Sequence, residues 1–190
     1  MIIIILGPPG AGKGTQGELL SKRIGLPRLS VGALIRKQVK KKSRIGRQIS
    51  PLMKRGHAIP GKKLIQICDE WITKHPGGFI VDNLIRTKDQ LNQFINYQKD
   101  KKLIIDKVFL ITITAEESLS RLRIRKKIQA RIDETKAAIK RRREIFERHS
   151  KPIVDYFKKQ NIFYEIDGER PINEVHQDII SFIDNKNDTP

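Results

Sequence analysis

Ten residues constrain this chain more than any others. Gly7-Pro8-Pro9-Gly10-Ala11-Gly12-Lys13-Gly14-Thr15-Gln16 follow the apolar run Ile2–Leu6 directly and lead into a stretch with Leu19, Leu20 and Ile24 on one helical face. A short apolar run that stops at glycine and proline reads as a strand buried on both faces. The glycines let the following loop curl until its backbone N–H groups point inward, and the helix behind it adds the positive end of its dipole. Such a loop suits phosphate oxygens. Lys13 would reach between the β- and γ-phosphates of a nucleotide, and the Thr15 hydroxyl would meet a divalent cation or an α-phosphate.

The rest of the sequence alternates short β-branched runs with helical periods, the pattern of a parallel sheet wrapped by helices. Strands are expected at Ile2–Leu6, Pro27–Leu29, Phe79–Asp82, Lys107–Ile113 and Ile162–Ile166. Helices are expected at about 13–25, 30–42, 60–74, 87–98, 115–127, 132–159 and 171–185. Ser30, Thr87 and Asn173 read as caps, and Pro60 and Pro171 as first-turn prolines. No internal repeat or low-complexity linker interrupts this order, and Asn185–Pro190 reads as a disordered end. The 190 residues, 38% of them hydrophobic, suit one compact domain with small inserts.

Several classes are excluded by simple counts. Cys68 is the single cysteine, so no disulfide framework exists, and its place in the pattern Leu64, Ile65, Cys68, Ile72 marks it as a core residue. The apolar opening is far shorter than the roughly 20 residues of a membrane span and does not resemble a signal peptide, so a cytoplasmic protein is expected. His57, His75, His149 and His176 lie at no metal-ligand spacing. The formal charge is +18, which calls for an anionic partner or substrate. Residues 31–60 hold nine bases and no acid, residues 116–151 hold thirteen bases and six acids, and residues 152–190 are net −4. Either a nucleic acid or a pocket holding several phosphates fits that polarity.

The glycine loop has P-loop spacing with Gly14 set between Lys13 and Thr15, and this variant resembles the nucleoside monophosphate kinases, most closely the adenylate kinases of the short-lid kind. The resemblance extends over nearly the whole chain. Ser30-Val31-Gly32-Ala33-Leu34-Ile35-Arg36 is similar to the segment that opens the monophosphate-binding insert, with Val31 and Ala33 lacking the family's hydroxyl and carboxylate. Gly56-His57-Ala58-Ile59-Pro60 resembles the element whose backbone meets the monophosphate base. Gly78 to Gln90 matches the family's strand, Asp-Gly-Phe-Pro-Arg and downstream Gln, with Asn83-Leu84-Ile85 in place of Gly-Phe-Pro. The stretch from Arg121 through Arg125, Arg131 and Asp133 to Arg142 is similar to the helix, lid and following helix of that family.

The resemblance implies an α/β fold: a P-loop NTPase-like, doubly wound, five-stranded parallel sheet. It also implies one kinase domain over 1–190, with a helical monophosphate-binding insert at about 30–60 and a short lid at about 125–132. The implied reaction is Mg2+-dependent transfer of a phosphoryl group from ATP to AMP, by a monomer. On that reading Gly10, Ala11, Gly12, Lys13, Gly14 and Thr15 cradle ATP, with Arg125 stacked on its adenine and Arg121 near its phosphates. Val31, Arg36, Ile59, Arg86 and Gln90 bind AMP, with Arg36 and Arg86 on its phosphate and Gln90 on its adenine edge. Thr15 and Asp82 serve Mg2+, the latter through a water. Lys13, Asp82, Arg86, Arg131 and Arg142 carry catalysis by offsetting phosphoryl charge, because this transfer needs alignment and charge stabilisation more than covalent chemistry. Two alternatives stand beside it: a kinase for another nucleoside monophosphate, and an RNA-associated P-loop protein with weak or no kinase activity. The low aromatic content, 6%, argues against base stacking on a strand.

Overall fold

A computed structural model describes residues 1–129 and 135–184. The elements run β1 (Ile2–Leu6), α1 (Lys13–Ile24), β2 (Arg28–Ser30), α2 (Val31–Lys40), α3 (Arg44–Lys54), α4 (Gly61–Thr73), β3 (Phe79–Asp82), α5 (Lys88–Asp100), β4 (Lys107–Thr112), α6 (Ala115–Gln129), α7 (Lys136–Lys158), β5 (Phe163–Asp167) and α8 (Ile172–Asp184). The five strands form one sheet in the order β2-β3-β1-β4-β5, parallel throughout.

Side-chain alternation along β1 divides the core in two, since successive residues face opposite sides of a sheet. Ile3 and Ile5 join Leu20 of α1 and Val175, Ile179 and Ile180 of α8 on one face. Ile2, Ile4 and Leu6 join Leu64 and Cys68 of α4, Phe94 of α5 and Phe157 of α7 on the other. Every residue of β1 is therefore buried, as a strand covered on both faces requires. Cys68 is fully buried, and burial pushes its thiol up to about 12, so it packs as an apolar group. Among the described residues no helix is long and apolar enough to cross a membrane.

Between α2 and α4 the structure adds a helix that the sequence reading leaves as connection. Ser43 caps α3 by accepting from the Gly46 N–H at 3.0 Å, and Ile49 and Met53 bury one face of the helix. Pro51 near its end suggests a break, yet three residues from a C-terminus its missing N–H costs one backbone bond and the helix continues to Lys54. Gly46 permits the close approach of α3 to α2, because a Cβ there would stand 2.1 Å from the Gln38 carbonyl oxygen. Four helices also start one residue later than expected: α2 at Val31, α4 at Gly61 with Pro60 in its cap position, α5 at Lys88, and α8 at Ile172, which puts Asn173 inside the helix rather than at its cap. Ser30 precedes α2 but caps nothing, since its hydroxyl bonds to Asp82 instead. Asn185–Pro190 lies outside the described residues.

Ile4 is completely buried in the central strand. Ile4→Ala is expected to lower unfolding free energy by about 2–5 kcal/mol, measured by urea denaturation. A loss below about 1 kcal/mol would contradict the two-sided burial described for β1.

Candidate active site

The sheet order reverses beside β1, and the loops after β1 and β3 diverge there, the place where parallel α/β sheets open a crevice at their carboxyl ends. A cavity of about 1100 Å³ occupies it. Its floor is the glycine loop. Gly12 holds φ of 84° at the N-cap of α1, a left-handed conformation that glycine adopts without steric cost. No side chain caps this helix and its first turn contains no acid, so its N–H groups remain available to an anion. The Ser118 hydroxyl of α6 donates to the Pro9 carbonyl at 2.6 Å and pins the outside of the loop.

Lys13 is buried within the curl and donates to the carbonyls of Gly7 at 2.8 Å and Pro8 at 2.6 Å. Burial pulls its ammonium down to about 7; the carboxylate of Asp82 works against that shift, and the charges of Arg86 and Arg125 add to it. The same conflict recurs across the cavity, where burial and the nearby Arg142 hold Arg86 down to about 10. Positive groups thus converge from the end of β3, from α6 and from α7 around one space.

Most residues expected from the sequence meet there. Gly10 to Thr15, Arg36, Ile59, Asp82, Arg86, Arg121, Arg125 and Arg142 all line the cavity. Arg121 is also paired with Glu117 at 2.6 Å along its own helix. Gln90 is placed differently: it is buried beside the cavity wall, its amide oxygen accepting from the Arg86 N–H at 2.7 Å and its amide nitrogen donating to the Ile59 carbonyl at 2.8 Å. It therefore ties together two elements of the expected AMP side. Val31 packs its side chain into the core. Arg131 lies outside the described residues with the 130–132 part of the expected lid, while α6 continues past Arg125 to Gln129 and takes up the part at 125–129. The two basic segments do reach the cavity from two sides through Arg36 and through Arg121, Arg125 and Arg142, whereas Lys40–Lys42, Arg44 and Arg47 are exposed outside it.

The sequence reading misses Arg28 and His57. Arg28 donates to Asp82 Oδ2 from Nε at 3.0 Å and from Nη2 at 2.5 Å. The available signal is strand parity, because Arg28 and Ser30 stand two apart on β2 and both reach Asp82 on β3. His57 lines the cavity, and its Nε2 accepts from Arg141 of α7 at 3.0 Å. Asn83, where the family has glycine, takes φ of 64°, a conformation asparagine tolerates better than most side chains.

A parallel α/β sheet whose first strand ends in a glycine-lysine loop, under a cavity lined by arginines, defines a P-loop NTPase fold carrying a nucleotide-binding phosphotransferase site. The family model described as adenylate kinase matches residues 5–162. The chain is 28% identical to an adenylate kinase of Clostridium tetani over 94% of this chain and 96% of that protein. It is 30% identical to one of Leifsonia xyli over 91% of this chain and 88% of that protein, and 31% identical to one of Prochlorococcus marinus over 93% and 95%. The chain belongs to the adenylate kinase family, and it is a phosphotransferase of the nucleoside monophosphate kinase class.

The state of Lys13 couples nucleotide binding to pH. A polyphosphate beside Lys13 favours its charged form, so above pH 7 binding must take up a proton, and affinity falls with rising pH by up to about tenfold per unit. In the free protein the sign reverses for folding: the unfolded lysine keeps its proton up to 10.5 and the folded one releases it near 7, so this group makes stability rise with pH between those values. Calorimetry of nucleotide binding at pH 8 in two buffers of different ionisation enthalpy is expected to show uptake approaching one proton. No difference between the buffers would contradict the buried, depressed Lys13.

Proposed function

We propose that the chain catalyses reversible Mg2+-dependent transfer of the γ-phosphoryl group from ATP to AMP, giving two ADP. The observation that carries this reading is the convergence of Lys13, Arg86 and Arg142 on one cavity, where burial first, and neighbouring positive charge with it, holds Lys13 and Arg86 below their ordinary values. Two nucleotides meeting end to end place their phosphate oxygens in such a space, and the charge redistributed during transfer stays in contact with fixed cations.

The roles follow from position. The open end of α1 and the Gly10–Thr15 loop take the β- and γ-phosphates, and Lys13 exchanges the carbonyls of Gly7 and Pro8 for phosphate oxygens. Arg86 and Arg142 hold the transferring group from opposite elements, Arg36 reaches the AMP phosphate from α2, and Arg121 adds charge near the ATP phosphates. Arg125 stacks on the ATP adenine, and Arg131 joins the charge clamp from the lid. Gln90 keeps one N–H and one lone pair beyond those bonded to Ile59 and Arg86, enough for one edge of adenine, while it holds Arg86 in place. A hydroxyl oxygen suits a hard cation, so Thr15 would hold Mg2+ brought in on the phosphates, beside the Asp82 carboxylate that is already paired with Arg28. When bound, that cation supplies neutralisation of the phosphoryl oxygens. The kinase domain spans 1–190, its monophosphate insert at about 30–60 is built from α2 and α3, and its lid covers about 125–132; it acts as a cytoplasmic monomer on small nucleotides.

A coupled assay with ATP and each of AMP, CMP, UMP and GMP, beside a salt-dependent RNA titration, tests this reading. AMP is expected to be the preferred acceptor. Gln90→Asn, which withdraws the amide by one CH2, should lower kcat/KM for AMP by about tenfold or more and leave the ATP side nearly unchanged. Preference for another monophosphate, or RNA binding without transfer, would replace the proposal.

A further inference from the structure

Asp82 is the buried carboxylate at the carboxyl end of β3, and it already has partners. Both bonds from Arg28 fall on Oδ2, while the Ser30 hydroxyl donates to Oδ1 at 3.3 Å. A carboxylate offers about four lone-pair sites in total. Two are taken by the guanidinium and a third by the hydroxyl, leaving one on Oδ1. The arrangement is built from three elements: Arg28 and Ser30 share one face of β2, and the guanidinium packs against α1, where glycines make room for it. A Cβ on Gly17 would stand 2.8 Å from Arg28 Nε, and one on Gly14 would stand 3.2 Å from Nη2. Residue 33, on the first turn of α2 after Ser30, is an exposed alanine and brings no second carboxylate.

We propose that Arg28 is a built-in counter-ion that competes with the nucleotide-borne divalent cation for Asp82. It is a positioning residue acting through Asp82, and the inference rests on the phosphoryl-transfer reading above. The guanidinium offsets the charge of the carboxylate and fills both lone-pair sites of Oδ2, and it would repel a dication brought to the remaining site on Oδ1. The cation in this chain is consequently held by the phosphates and Thr15, with little contribution from Asp82.

The test reads cation binding directly: Mn2+ titrated by electron paramagnetic resonance into protein saturated with a non-hydrolysable ATP analogue. Arg28→Gln is expected to tighten Mn2+ by about tenfold, because it frees a buried carboxylate. Arg28→Lys, which keeps the charge, should stay within about threefold of the parent. Asp82→Asn in the otherwise unaltered chain should change Mn2+ affinity by less than about twofold, and in the Arg28→Gln background it should abolish the gain. The proposal is overturned if Arg28→Gln leaves Mn2+ affinity unchanged, or if Asp82→Asn alone weakens it by about tenfold or more. Should Arg28→Gln fail to fold, the Asp82→Asn comparison decides by itself. Absence of analogue binding to the unaltered chain, measured without metal, would defeat the phosphoryl-transfer reading rather than this one.

Discussion

A lysine ammonium buried in a curled glycine loop, with arginines lining the same cavity, is at its most stable in the company of anions. Burial of a charge in a poorly solvated space costs several kcal/mol unless a partner offsets it. Here the offset is incomplete: Lys13 is held to about 7 and Arg86 to about 10. Phosphate groups carry the charge and the oxygen lone pairs that would satisfy both. The sheet order, the unburdened end of α1, and the rigid placement of Arg86 by Gln90 all bear on this one electrostatic demand.

The fold was largely legible because its strands are buried on both faces. Ile2–Leu6, the apolar positions 79–81 of β3 and the apolar part of Lys107–Thr112 leave no polar position to confuse a strand with a surface element. The hidden element was α3. Its eleven residues include Pro51, and its apolar positions Ile45, Ile49 and Met53 are separated by bases and polar groups, so the segment reads as connection until α2 and α4 are seen beside it. Pro152 lies inside α7 without hiding that helix, because 23 residues of helical periodicity outweigh one breaker.

The site was legible wherever one residue type has one job at a fixed distance along the chain, as in Gly12, Lys13 and Arg86. It was less legible where a side chain works across the fold. Arg28 precedes the family-like segment at Ser30, and its function depends on a neighbour 54 positions away. Gln90 was expected to face a base, yet its first duties are to Ile59 and to the backbone of Arg86. Both bonds depend on tertiary proximity, which neither hydrophobic period nor motif spacing encodes.

The proposed transfer requires one cavity to receive two nucleotides with their phosphates meeting between Lys13 and Arg86. The most direct measurement is the affinity, by calorimetry, of a bisubstrate compound of two adenosines joined by five phosphates, compared with that of ATP. Occupying both halves of the cavity through one tether should tighten binding by about a hundredfold or more. Equal affinities would contradict a second nucleotide site on the Arg86 side.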